Sequence, residues 1–293
     1  MALSNYEGRT TGAVHIPRIL SSYIVEFLEK NLQAKNFVTN RTVDVAANGQ
    51  TVDFPVQVSF SVYQYSDGDK LTDNLGANTD TKVSLTVSEM PMRPFLILDS
   101  WSMERKNDTT AMELKNAGYV VAKYMDTTIL AETLDFSVNT IVNGGDPGTA
   151  LNNIDLTAGQ YTLDALDVPE DDRVWFFHPV VMKDLMDLTG NYFTSIDFSE
   201  SKALVKGQIS KNLLGSPVVK TTNVPTGTAG SPSATYRKNS YFHKSAIGLA
   251  MQKEIQYQTE YSVEWQGTLH NARSKFGTTT LDATRGVLLY RYI

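Results

Sequence analysis

The chain has 293 residues, 41% hydrophobic, 20% charged and 10% aromatic, enough apolar content for a core in one large domain or two modest ones, which excludes global disorder. Its 10 prolines and 19 glycines exclude collagen-like and low-complexity classes, and the absence of cysteine excludes disulfides, thiolate nucleophiles and zinc-thiolate sites together. The formal net charge is −6, and the longest apolar runs, such as 95–98 and 174–177, fall far short of the ~20 residues of a bilayer-spanning helix.

Residues 1–16 are polar, with Gly8 and Gly12 and no periodicity, and read as an arm whose order depends on what it touches. No basic stretch followed by an apolar one marks residues 1–18 for secretion, so synthesis in the cytosol is expected. Pro17 opens a helical pattern in which Leu20, Ile24, Phe27, Leu28 and Leu32 recur at spacings of three and four. From Val52 every second residue is apolar: Val52, Phe54, Val56, Val58, Phe60 and Val62. This predicts one strand about 37 Å long at ~3.4 Å per residue, and Pro55 inside it predicts an edge position. A second alternating run, Val83, Leu85 and Val87, follows a polar linker, so the two runs read as a long hairpin. Two-stranded ribbons are marginal alone in water. One apolar face must therefore lie on another surface.

Residues 95–98 read as a buried strand, and residues 108–134 as a long helix with Asp108 as N-cap and Leu114, Gly118, Val121 and Met125 on one stripe. That helix would measure roughly 40 Å, the length of a spine. Residues 136–142 read as a strand ended by the turn cluster 143–148. Beyond it the texture is α/β-like: a buried strand at 174–177, a helix started by Pro179 with Val181, Leu185 and Leu188 inward, a strand at 217–219, a surface loop at 226–234, and an apolar patch at 245–251. Strand character at 257–265 and 286–292, separated by a polar stretch, closes the chain.

Charge is unevenly divided. Residues 1–200 carry 14 basic against 28 acidic side chains, and residues 201–253 carry 8 basic and none acidic. A stretch of 53 residues without a carboxylate implies a positive surface facing nucleic acid or the acidic part of another copy. Lys202, Lys206, Lys211, Lys220, Arg237, Lys238, Lys244 and Lys253 are dispersed, which favours the second; a scattered solvated face is the alternative.

Catalytic signatures are missing. None of His15, His178, His243 and His270 stands at metal-ligand spacing from another. His178 before Pro179 reads as structural, and Asp167, Glu170, Asp171 and Asp172 around Pro169 read as a solvated turn. Asp67, Asp69 and Asp73 fail as a calcium loop, because Leu71 takes a ligand position. Residues 143–148 lack the Lys-Ser/Thr ending of a phosphate cradle. Tyr236, Tyr241 and Phe242 interleaved with Arg237, Lys238 and Lys244 leave base stacking as a minor reading.

The order of elements, together with Val168-Pro169 leading to Pro179-Val180-Val181, the run from Leu204 to Ile209 leading to Gly215-Ser216-Pro217-Val218-Val219, and Phe242-His243-Lys244-Ser245-Ala246, resembles the Hong Kong 97-like major capsid proteins of tailed bacteriophages. The resemblance implies an α+β fold with an N-terminal arm (1–38), an extended β-hairpin loop (39–98), a peripheral domain with a long spine helix (99–150 and 255–293) and an axial α/β-like domain (151–254). It implies a non-enzymatic protein that forms pentamers and hexamers of an icosahedral head shell enclosing double-stranded DNA. Implied partners are further copies of itself, a scaffolding protein, a portal and non-specifically held DNA, with no membrane and no cofactor or metal. The implied location is the virion, after assembly in the bacterial host cytoplasm. The intersubunit contact candidates are Val52, Phe54, Val56, Val58, Phe60, Val62, Val83, Leu85 and Val87. Some family members join a loop lysine covalently to a neighbour's asparagine; here Lys70 and Lys82 are the loop lysines and no motif marks the partner, so no cross-link is expected. Alternatives are an encapsulin-like nanocompartment shell, a tail or decoration component, and, more distantly, a soluble hydrolase using His178 with the Asp171 region.

Overall fold

The computed structural model describes residues 33–42, 50–56, 62–67, 70, 81–104, 110–141, 150–187, 212–229 and 234–292. The first half of the chain supplies strands β1 (Thr39–Asn40), β2 (Thr51–Val56), β3 (Thr81–Thr86), β4 (Met92–Leu98) and β5 (Thr140–Ile141), with helices α1 (Asp99–Glu104) and α2 (Thr110–Glu132). The second half supplies α3 (Asn153–Ala165), β6 (Arg173–Phe177), α4 (Pro179–Asp187), β7 (Asn212–Leu213), β8 (Ser216–Lys220), β9 (Thr226–Ala229), β10 (Ala234–His243), β11 (Ile247–Ser262), β12 (Gly267–Thr280) and β13 (Gly286–Tyr292). They form a four-stranded sheet of order β1-β11-β12-β4, a seven-stranded sheet of order β5-β13-β10-β6-β8-β7 with β9 on β10, and the separate ribbon β2-β3.

Strand β6 explains the unbroken apolar run Val174-Trp175-Phe176-Phe177. Side chains alternate across a strand. Val174 and Phe176 enter one core with Phe242, Leu288, Leu249, Met251 and Phe276, while Trp175 and Phe177 enter another with Leu156 and Leu163 of α3 and Val181 and Leu185 of α4. The first core joins the two large sheets and takes Met125, Ile129 and Leu130 from the end of α2. Both faces of β6 are therefore covered, as in strands flanked by layers on each side.

Helix α2 has 23 residues, about 34 Å at ~1.5 Å per residue, and packs across β11, β12 and β4, with Ala117 and Val121 against Ala272. Asp108, the expected N-cap, lies outside the described residues, as do Leu188 and the helical pattern of residues 17–32. Helix α3 is bounded by a capping box: the Asn152 side chain accepts from the N–H of Ile154 and Asp155, and the Asp155 carboxylate accepts from the N–H of Asn152. Asp155 is buried, and that burial raises its pKa against the opposing hydrogen bond.

Three expectations are corrected. Residues 136–142 were expected as a strand; a 3-10 helix spans Thr133–Val138 instead, and only Thr140–Ile141 pairs. The cause is tertiary: Phe136 is fully buried against Phe242, and a Cβ on Gly286 would come within 2.4 Å of its ring. The polar stretch expected between the closing strands is β12, which pairs on both sides with β11 and β4. In the surface loop expected at 226–234, Thr226–Ala229 form β9 and Ala234 begins β10, with 230–233 outside the described residues. Strand β11 runs through residues 254 and 255, and Gly286–Tyr292 joins the seven-stranded sheet, where Val287, Leu288 and Leu289 are buried on its two faces.

Candidate assembly surfaces

The ribbon β2-β3 is the element that most depends on a second surface. Val52 pairs with Leu85, Phe54 with Val83 and Val56 with Thr81, so the apolar residues of both strands share one face. Pro55 pairs with Lys82 and lacks an N–H; in a two-stranded ribbon both strands are edges, which tolerates it. The polar face is held by Asp53, which accepts from Lys82 at 2.6 Å and from Ser84; the Lys82 hydrogen bond, then that of Ser84, keeps the Asp53 carboxyl below its ordinary pKa.

The base of the apolar face rests on the chain's own four-stranded sheet. Leu85 and Val87 pack on Ala250 of β11, with Val52 and Phe54 partly covered beside them. The Glu89 and Phe276 backbones bond each other, and Val87 donates to the Gln50 carbonyl. A Cβ at Gly277 of β12 would stand 2.3 Å from the Thr86 carbonyl, so only glycine lets the ribbon come this close. Away from that base the cover runs out. Leu85 is 0% exposed, Val56 40% and Val62 98%.

This gradient divides the nine predicted contact residues. Leu85 and Val87 are buried by the chain's own residues. Val52, Phe54 and Val83 are half-buried, Val56 and Val62 are open, and Val58 and Phe60 lie outside the described residues. Of the expected eleven-residue strand, Thr51–Val56 form β2, residues 57–61 lie outside the described residues, and Val62 stands outside any strand.

Other apolar surfaces escaped the sequence reading. Ile154 and Tyr161, seven residues apart on α3, are 75% and 73% exposed on the side opposite Leu156 and Leu163. The β11-β12 turn presents Tyr261, Val263 and Trp265, and Tyr261 donates to Asp99 at 2.7 Å. The signal for the α3 stripe was available as the capping box of residues 152–155, which fixes the helical register and hence its outer face.

The histidines are occupied structurally. The Asn239 side chain accepts from the His178 N–H, and His178 Nδ1 accepts from the Val180 N–H at the start of α4. Asp171 lies at the opposite end of β6, five residues of strand away, so the hydrolase pairing is not assembled. His243 Nδ1 is 2.7 Å from Ser245 Oγ, whose hydroxyl also accepts from Arg285, and the Ser245 N–H bonds the same ring nitrogen. That is a cap closing the 3-10 turn Lys244–Ala246. Burial first, and the Arg285 charge second, lower the His243 pKa. Among the described residues no group of three or more histidines and carboxylates could hold a metal ion, and no helix is long and apolar enough to cross a membrane.

Among its described residues the carboxylate-free stretch exposes Lys220, Lys244 and Lys253. Lys238 instead lies within 6 Å of the Tyr236 and Tyr290 ring centroids, and Arg237 donates to the Val224 carbonyl. Tyr236, Tyr241 and Phe242 are buried, so their faces are not open to stacking bases. Opposite in sign, Asp167, Glu170, Asp171 and Asp172 are exposed on the turn before β6.

A family model described as phage capsid protein matches residues 76–289. Among solved structures, the chain is similar to one from Mycobacterium phage Che8 at 18% identity and TM-score 0.75, covering 93% of this chain and 96% of that one. It is similar to the capsid of the cyanophage P-SCSP1u at 17% identity and TM-score 0.74, covering 94% and 92%. The capsid of an empty GTA particle matches at 11% identity and TM-score 0.68, over 100% of both chains. No curated protein matches at a significant level. The family match over most of the chain and the likeness in fold to solved phage capsids lead to one conclusion: the chain belongs to the phage capsid protein family, as a major capsid shell protein of the Hong Kong 97-like fold.

Proposed function

We propose that this shell protein assembles as pentamers and hexamers of an icosahedral head around double-stranded DNA, in the bacterial host cytoplasm, with a scaffolding protein and a portal as further partners. Its role is structural and no catalytic step is assigned to it. The carrying observation is the ribbon's exposure gradient, from Leu85 at its buried base to Val62 beyond its uncovered end. A face that its own chain covers only at one end is completed by a neighbour, and heterologous contacts of that kind close into rings and shells. Val52, Phe54, Val56, Val62 and Val83 are the contact residues of this reading. In this reading β13 belongs with the axial unit, and the peripheral boundary lies at the start of β11.

The test is the double variant Val56→Asp, Val62→Asp. Both positions are exposed in the single chain, so the subunit should keep its circular dichroism spectrum and urea midpoint while closed shells vanish from negative-stain images. Shells of normal size and yield from this variant would overturn the reading.

A further inference from the structure

Helix α2 covers a seam in which two side chains of β12 bury polar atoms without a hydrogen-bond partner, His270 at Nδ1 and Ser274 at Oγ. His270 is 8% exposed. Its ring stacks on Phe95 of β4, with centroids 5.0 Å apart and planes 14° from parallel. Beside the stack a cleft of about 260 Å³ opens between α2 and β4, lined by Arg93, Phe95, Glu113, Asn116, Ala117 and Val120.

Charged and titratable groups reach this seam from each neighbouring element. Helix α2 brings Glu113, and β4 brings Arg93, two residues from Phe95 and on its face. Strand β11 brings Tyr257 and Tyr261, which flank the Thr259 paired with His270; Tyr261 in turn holds Asp99 of α1. On β12 itself the neighbours on that face are Thr268, Ala272 and Ser274. The other half of α2 is fastened differently, by Met125, Ile129 and Leu130 in the main core.

We propose that His270 is an acid-sensitive latch: as a neutral ring it holds the first half of α2 on the sheet, and as an imidazolium it leaves the Phe95 stack toward Glu113 and frees that half. Charging a ring inside this seam costs its hydration, and Nδ1 has no hydrogen-bond partner there to offset that cost. Burial is the dominant influence and sets the His270 pKa below the ordinary histidine value, with the Glu113 carboxylate opposing it. The sign follows. A lowered folded-state pKa means that the opened seam binds the proton better, so the contribution of His270 is complete above the ordinary value of ~6.5 and is lost as pH falls from there through the folded value.

Hydrogen exchange of the full chain, read by mass spectrometry at pH 7, 6 and 5 and corrected for intrinsic rates, tests this. Protection over residues 110–121 is expected to fall severalfold, at most about tenfold per pH unit for one coupled proton, while residues 122–132 stay unchanged. His270→Phe keeps the stack without a titrating group and should abolish the fall. His270→Gln, neutral throughout, serves the same purpose if the phenylalanine variant does not fold. Glu113→Gln should move the fall to lower pH. An acid-insensitive native chain, or an equal fall in the His270 variants, overturns the latch; an unshifted Glu113→Gln profile overturns the part assigned to Glu113.

Discussion

Asp126, buried on α2, accepts from the Ala34 N–H at 2.8 Å through one carboxylate oxygen and from Asn223 Nδ2 at 2.9 Å through the other. One side chain thus ties the segment entering the fold, the spine helix and the loop after β8. Removing it strands two donors, one of them a buried backbone N–H, and such groups cost about 1–3 kcal/mol each when left unpaired. Asp126→Ala should lower the unfolding free energy of unassembled subunits by about 2–4 kcal/mol, measured by urea denaturation, and Asp126→Asn by less because an amide oxygen remains to accept from Ala34. Nothing in the sequence marks Asp126. It stands between Met125 and Thr127 as one more polar residue of an amphipathic helix, and its partners are 92 residues before it and 97 after it. Side chains with local partners were easier to read: Pro179 at the start of α4 was visible as a helix signal, and His178 before it as structural.

At the scale of elements, Gly277 is the seat of the ribbon. A methyl group there meets a backbone carbonyl, which cannot swing aside as a flexible side chain can. Gly277→Ala should lift the β2-β3 base from β12 and open the ribbon to limited proteolysis, with a loss of about 1–3 kcal/mol in overall stability; an unchanged digestion pattern would show that the ribbon is not seated there. The ribbon itself was legible because strict alternation over Val52, Phe54 and Val56 and over Val83, Leu85 and Val87 has a period that only a strand satisfies. Strand β12 was not. Its inward positions are His270, Ala272, Ser274 and Phe276, of which three are small or polar, so the alternation of burial leaves no alternation of hydrophobicity. The long helix was read to two residues past its C-terminal end, since a stripe sustained over several turns leaves little ambiguity about type and less about face.

For the whole molecule the charge division is the property with the clearest consequence. Exposed acids cluster on the turn before β6, and the stretch 201–253 carries only basic charges, of which Lys220, Lys244 and Lys253 are exposed among the described residues. Contacts of that kind are screened when the Debye length falls from ~10 Å at 0.1 M salt to ~3 Å at 1 M. Shells should therefore dissociate at lower urea concentration in molar salt than in dilute buffer, by light scattering; equal dissociation midpoints would assign their cohesion to apolar contacts alone. The sequence by itself determined the class of this protein: a foldable α+β chain without a catalytic or metal signature, with an apolar ribbon, a spine helix and a polarised charge distribution. These are properties of local period and composition, which each segment carries wherever it is placed. Only the tertiary structure decided which sheet each closing strand joins, that residues 136–138 coil around a buried Phe136 in place of extending, and that Leu85 and Val87 are sealed by their own chain while Val56 and Val62 stay exposed. Those outcomes depend on contacts between residues far apart in the chain, and alternation within a segment specifies a face but not the surface that will cover it.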